Sequence, residues 1–120
     1  MTVRVVTSLL DPTFDEAVVR RVGRADSGAT ISRRCVDVVA LRSAAGAGIA
    51  DVAIVDAGLR GLDRDIVSEL HAFGVRVVAV GLDLARIDGV GVDAVVEPDV
   101  DAVVAALRGG LAEPTRGAAD

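Results

Sequence analysis

Lysine is missing from this chain: all 13 of its basic residues are arginine. Any chemistry that calls for an ammonium group must therefore find another cation. Tryptophan and tyrosine are missing too, and Phe14 and Phe73 are the only aromatic side chains. Stacking on splayed bases, the usual route to single-stranded nucleic acid, has almost nothing to work with. The net charge of -5 and pI near 4.7 oppose binding to a phosphate backbone. A lone cysteine, Cys35, excludes an internal disulfide and a cysteine-based zinc site. Cys35 reads as a small buried hydrophobe; pairing it with the sole histidine, His71, as nucleophile and base lacks an orienting third group nearby in the sequence. No apolar run approaches the ~18 residues that span a bilayer. Met1-Thr2-Val3-Arg4 leads directly into strand-like sequence without an apolar leader, so the chain is expected to be soluble and cytoplasmic.

What the chain does have is aliphatic bulk. Apolar residues make up 52% of its 120 positions, enough for one domain that buries something over ~60% of its unfolded surface. The organising stretch is Asp51 to Asp63, DVAIVDAGLRGLD. Val52-Ala53-Ile54-Val55 is too short for a helix and unbroken by polar residues, as in a strand covered on both faces. It ends in Asp56, followed by a loop with Gly58 and Gly61. In an open α/β sheet, the crevice outside the carboxyl ends of the strands is where ligands and partners are met.

The remaining elements alternate around that strand. Val3–Thr7 reads as a first strand. Asp11-Pro12 starts a helix whose stripe is Phe14, Val18, Val19 and Val22, with Asp15, Glu16, Arg20, Arg21 and Arg24 on the solvent side. Ala29–Cys35 is a more polar strand, expected at an edge. Asp37 caps a helix from Val38 to about Ala47, facing inward with Val38, Leu41 and Ala45. Asp63 caps another with Ile66, Val67, Leu70 and Phe73 as its stripe. Val75–Val80 and Val92–Val96 read as the fourth and fifth strands, with a short helix over Leu82–Ile87 between them. Asp99 or Asp101 caps a last helix carrying Val103, Val104 and Leu107. Residues 1–111 form the domain; 112–120 read as a tail resembling the start of an interdomain linker. Five strands alternating with helices imply a parallel sheet covered on both faces. The flavodoxin-like order 2-1-3-4-5 puts the polar second strand at an edge, where Arg33 and Arg34 reach water.

Asp51–Asp63 resembles the phosphoacceptor region of response-regulator receiver domains, in which an apolar third strand ends in the accepting aspartate. Asp56 stands at the acceptor position, with Arg60 where the family has proline before Gly61-Leu62-Asp63. Gly91-Val92-Asp93-Ala94-Val95-Val96-Glu97-Pro98 resembles the family's run into its last helix. The resemblance spans Val3 to Leu111 and implies a CheY-like three-layer sandwich. It does not imply receiver chemistry. Phosphoryl transfer to a carboxylate needs Mg²⁺, acidic ligands for it, and a cation beside the acceptor. Thr7-Ser8 stand where the family's acidic pair ends the first strand, Gly81 replaces the Thr or Ser ending the fourth, and Glu97 replaces the lysine before the final proline. No metal and no cofactor is implied.

Residues 3–22 (VRVVTSLLDPTFDEAVVRRV), 31–41 (ISRRCVDVVAL) and Leu59–Asp65 are similar to the amino-terminal domains of CpaE/TadZ-like pilus-assembly and septum-site-determining proteins. In that family a receiver-like domain precedes a ParA/MinD-type ATPase domain. The implied role is a non-catalytic pseudoreceiver that localises an attached ATPase through protein contacts with localisation or secretion machinery, with a homodimer compatible. The candidate surfaces are the lip (Thr7, Ser8, Asp56, Gly81, Glu97) and the Arg20, Arg21, Arg24 face. No glycine-lysine phosphate loop occurs in the chain. Two other classes stay open: an atypical receiver phosphorylated on Asp56, and a small-molecule-binding flavodoxin-like domain. The latter has Ser8-Leu9-Leu10-Asp11 where a glycine-rich cradle would stand.

Overall fold

The computed structural model describes residues 2–24, 27–82 and 89–107. Five strands, β1 (Val3–Ser8), β2 (Ala29–Arg34), β3 (Val52–Asp56), β4 (Arg76–Val80) and β5 (Ala94–Val96), form one parallel sheet in the order β2-β1-β3-β4-β5. Three helices, α1 (Pro12–Val22), α2 (Val38–Gly46) and α3 (Arg64–Ala72), connect them, and residues 100–107 form a further helical stretch, α4. The expected strand order is the observed one. The expected helix over Leu82–Ile87 and the linker-like tail both lie outside the described residues, apart from Leu82 itself.

The unbroken apolar run of β3 has a simple cause. Successive side chains of a strand point to opposite faces, and here both faces are covered. Ala53 and Val55 join Leu41, Ala44, Val67 and Leu70 of α2 and α3 on one side. Val52 and Ile54 join Val18 and Val22 of α1 and Val103 and Leu107 of α4 on the other. β2 is the polar edge, with four of its six residues exposed or nearly so at Thr30 and Ser32–Arg34. A register shift in its pairing with β1 leaves Ser32 out of the ladder, its hydroxyl donating to Ile49 O at 2.7 Å instead.

Each helix start is capped as its sequence proposes. Asp11 Oδ1 accepts the Thr13 and Phe14 amides, Asp37 Oδ1 that of Ala40, Asp63 Oδ1 that of Ile66, and Asp99 Oδ2 that of Ala102. Two assignments need correction. Asp15 does not face solvent but is buried, 9% exposed. Phe73 is not part of the α3 stripe: the helix ends at Ala72, and Phe73 is 51% exposed. β5 also starts two residues later than expected, at Ala94, because Asp93 is drawn into other bonds. Its carboxylate accepts the Val77 amide at 2.7 Å and lies 2.8 Å from His71 Nε2.

At the opposite end of the sheet from Asp56, Asp51 ties three strands together. Its carboxylate accepts the Arg4 amide at 2.8 Å and pairs with the Arg4 guanidinium at 3.1 Å, while its backbone bonds to both Arg4 and Arg76. Those hydrogen bonds from Arg4 hold the Asp51 carboxyl below its ordinary range. A carboxyl depressed in the folded state contributes stability that is present above its unfolded pKa and lost as pH falls through the folded value. Asp51→Asn is therefore expected to lower stability at neutral pH and to shrink the stability lost on acidification. Urea unfolding at pH 7 and pH 3 checks this; an unchanged acid limb would refute it.

Candidate functional site

The loops after β1, β3, β4 and β5 meet at the carboxyl edge of the sheet around an open groove of about 600 Å³. Its lining is Asp11, Phe14, Asp56, Val80, Gly81, Leu82 and Pro98. Two of the five lip residues expected from sequence, Asp56 and Gly81, are thus brought together. Thr7 and Ser8 lie below the lip, each 1% exposed within the sheet. Glu97 is exposed, and the groove takes its neighbour Pro98. Asp11 and Phe14 were legible only as a cap and a core residue; their place beside Asp56 follows from how the first loop folds over β3.

Asp56 is half-buried, and its Oδ1 accepts the Gly58 amide at 2.8 Å. This is an Asx-type turn, the commonest local use of an aspartate at a strand end. Directly after it, the Ala57 amide bonds to Val80 O at 2.8 Å, pinning the ends of β3 and β4 to each other. Gly81 follows Val80 and bonds onward to Val96 O at 3.0 Å. A Cβ placed on Gly81 would stand 2.8 Å from Ala57 Cβ, closer than carbon atoms approach. The lip at this point is closed to any side chain, hydroxyl-bearing ones included, unless Ala57 moves. Gly61, in the same loop, adopts φ +86° with a Val38 methyl 3.4 Å from where its Cβ would be, a conformation that favours glycine.

The Thr7 hydroxyl is committed elsewhere. It donates to Asp15 Oδ1 at 3.0 Å, and Asp15 Oδ2 pairs with Arg34 at 2.8 Å. The burial of Asp15 is tolerated because both oxygens are partnered. Asp15, Val18 and Val22 fall at i, i+3 and i+7 on α1, so its position on the inner stripe was readable. Of the arginine face, Arg20 is exposed and pairs with Glu16 at 2.9 Å, Arg24 is exposed, and Arg21 is half-buried. Cys35 ends the β2 edge at the carboxyl side of the sheet, and burial raises its thiol pKa. His71 is held by Asp93 beside the start of β5, at the other side, so the two do not form a pair. Among the described residues, no group of three or more His, Cys, Asp or Glu gathers as for a metal, and no helix is long and apolar enough to cross a membrane.

A five-stranded parallel sheet in this order, helices on both faces and a carboxylate closing the central strand, is the flavodoxin-like architecture of CheY-like receiver domains. Solved structures agree. A two-component response regulator of the LuxR family from Aurantimonas sp. SI85-9A1 matches with TM-score 0.77 at 16% identity, over 94% of this chain and 87% of that one. The signal receiver domain of a NarL response regulator from Mycobacterium tuberculosis matches with TM-score 0.74 at 22% identity, over 88% and 93%. A CpaE pilus assembly protein from Burkholderia thailandensis E264 matches with TM-score 0.65 at 20% identity, over 89% and 96%. At these identities the likeness establishes the fold. No protein-family model and no curated protein matches the chain.

The contact between positions 57 and 81 generates a prediction. Gly81→Ala should destabilise by about 1–3 kcal/mol, the usual cost of overpacking. Adding Ala57→Gly should recover part of that loss, giving a coupling of about 1 kcal/mol or more in a double-mutant cycle by urea unfolding. Strictly additive costs would show that Ala57 yields freely.

Proposed function

We propose that this domain is a non-catalytic pseudoreceiver, a protein-interaction and localisation module of the kind that precedes ParA/MinD-type ATPase domains in CpaE/TadZ-like and septum-site-determining proteins. The observation that carries the reading is the 2.8 Å approach between Ala57 and a Cβ on Gly81. It removes room for the hydroxyl that would meet a phosphoryl group on Asp56. Three further features support it. The Thr7 hydroxyl is spent on Asp15, and Glu97 stands where the resemblance would have a cation. The chain holds no lysine to replace that cation. A phosphoryl group on Asp56 would thus gain little of the charge neutralisation that such transfer depends on. A similar fold in a CpaE pilus assembly protein supports the assignment of context.

One observation favours a second reading, an atypical phosphorylatable receiver: Asp11 lines the same groove as Asp56, so that two carboxylates border it. The two readings separate cleanly. Incubation with Mg²⁺ and acetyl phosphate, followed by intact-mass measurement, should give no phosphate-sized gain. A gain that disappears in Asp56→Asn would overturn the pseudoreceiver assignment. Under that assignment, Asp56→Ala and Glu97→Lys should each reduce co-precipitation of a ParA/MinD-type ATPase or localisation machinery from cells while leaving the thermal midpoint within a few degrees. Unchanged capture by both variants would make the lip purely structural.

A further inference from the structure

The groove combines an apolar lining with anionic rims. Phe14, Leu82 and Pro98 supply the apolar surface, with Val80 buried at its base, and Leu82 is 76% exposed. Leu10, 56% exposed, lies next to this lip, with a methyl 3.9 Å from where a Gly58 Cβ would be. Asp11 and Asp56 supply the charge. Each uses Oδ1 on neighbouring backbone amides, Thr13 and Phe14 for Asp11 and Gly58 for Asp56. Among the described residues neither Oδ2 has a hydrogen-bond partner, and no described cation lines the groove. Two carboxylate oxygens over apolar surface complement a group that is cationic, planar and carried on an aliphatic stem.

We propose that this groove docks an arginine side chain of a partner protein, flanked by apolar residues. The guanidinium meets Asp11 and Asp56, and its stem and neighbours lie on Phe14, Leu82 and Leu10. The proposal rests on the non-catalytic reading above and names the chemistry of the partner at that same site. Arginine fits better than lysine because its fork can serve two acceptors at once and its weaker hydration suits an apolar groove. A second copy of this chain is a poorer occupant. Arg4, Arg20, Arg34 and Arg42 are paired with carboxylates of their own molecule and Arg64 donates to Gly89 O, but Arg33 and Arg60 are exposed, so the charge of the whole chain decides. A net charge of -5 also opposes bringing two copies together at an acidic lip.

The test is an amide NMR titration of the 120-residue chain with acetyl-leucyl-arginyl-leucine amide, beside the same peptide carrying neutral citrulline in place of arginine. Shifts are expected at Gly58, Gly81 and Leu82, fading as salt is raised. Citrulline, Asp11→Asn and Asp56→Asn should each weaken binding by about tenfold or more, as for loss of a charge-assisted hydrogen bond. Both variants keep the Oδ1 acceptor that supports the local turn, so they are expected to fold, and their spectra report it. Equal binding of the citrulline peptide, or shifts confined to another face, overturns the proposal. So does a concentration-dependent dimer in sedimentation that Asp56→Asn abolishes, which would make a second copy the occupant. No phosphate gain together with no peptide effect removes the arginine site alone; a phosphate gain on Asp56 removes the non-catalytic reading and this proposal with it.

Discussion

The central strand β3 lies between β1 and β4 and under helices on both sides, so every side chain from Val52 to Val55 is withdrawn from water. Burial on both faces leaves no freedom of register, because a one-residue slip would exchange the residues facing α1 and α4 with those facing α2 and α3. Fixing the register also fixes where the strand stops. Asp56 is the first residue that can reach solvent, and it arrives at the sheet edge with its backbone tied to β4 by the following residue. The position of the groove is a consequence of that packing.

At the groove, steric and electrostatic effects act in the same direction. The strand ends are drawn close enough that a side chain at position 81 would have to displace Ala57, and Gly81 leaves the edge of β4 bare backbone. Among the described residues, the carboxylates at 11 and 56 are steadied by amides of their own loops. A site of this kind presents negative charge on an apolar bed. Further negative charge placed there would be repelled by both carboxylates.

Much of this was legible from local pattern. The alternation of apolar strands with capped amphipathic helices specified a parallel sheet, and the polar ATISRR segment marked its own place at an edge. Asp15 was misassigned because a charge on a helix is normally solvated; the partners that permit its burial, Thr7 and Arg34, come from two other strands. Phe73 was misassigned because the α3 stripe continues one residue past the point where the helix stops. Asp11 was recognised as a cap but not as a rim of the groove, since nothing local says which loop folds over which strand end.

The sequence by itself determined the architecture, through periodicities of two and 3.6 residues and through aspartates at helix starts, because burial and capping act on neighbours along the chain. It also determined that no lysine side chain is available to stand beside Asp56, because composition needs no fold to be read. Only the tertiary structure decided what surrounds Asp56: Asp11 lining the same groove, Gly81 where a Cβ would meet Ala57, and Thr7 turned inward to Asp15. Those relations join segments far apart in the chain, and their distances are set by how closely β3 packs against its neighbours.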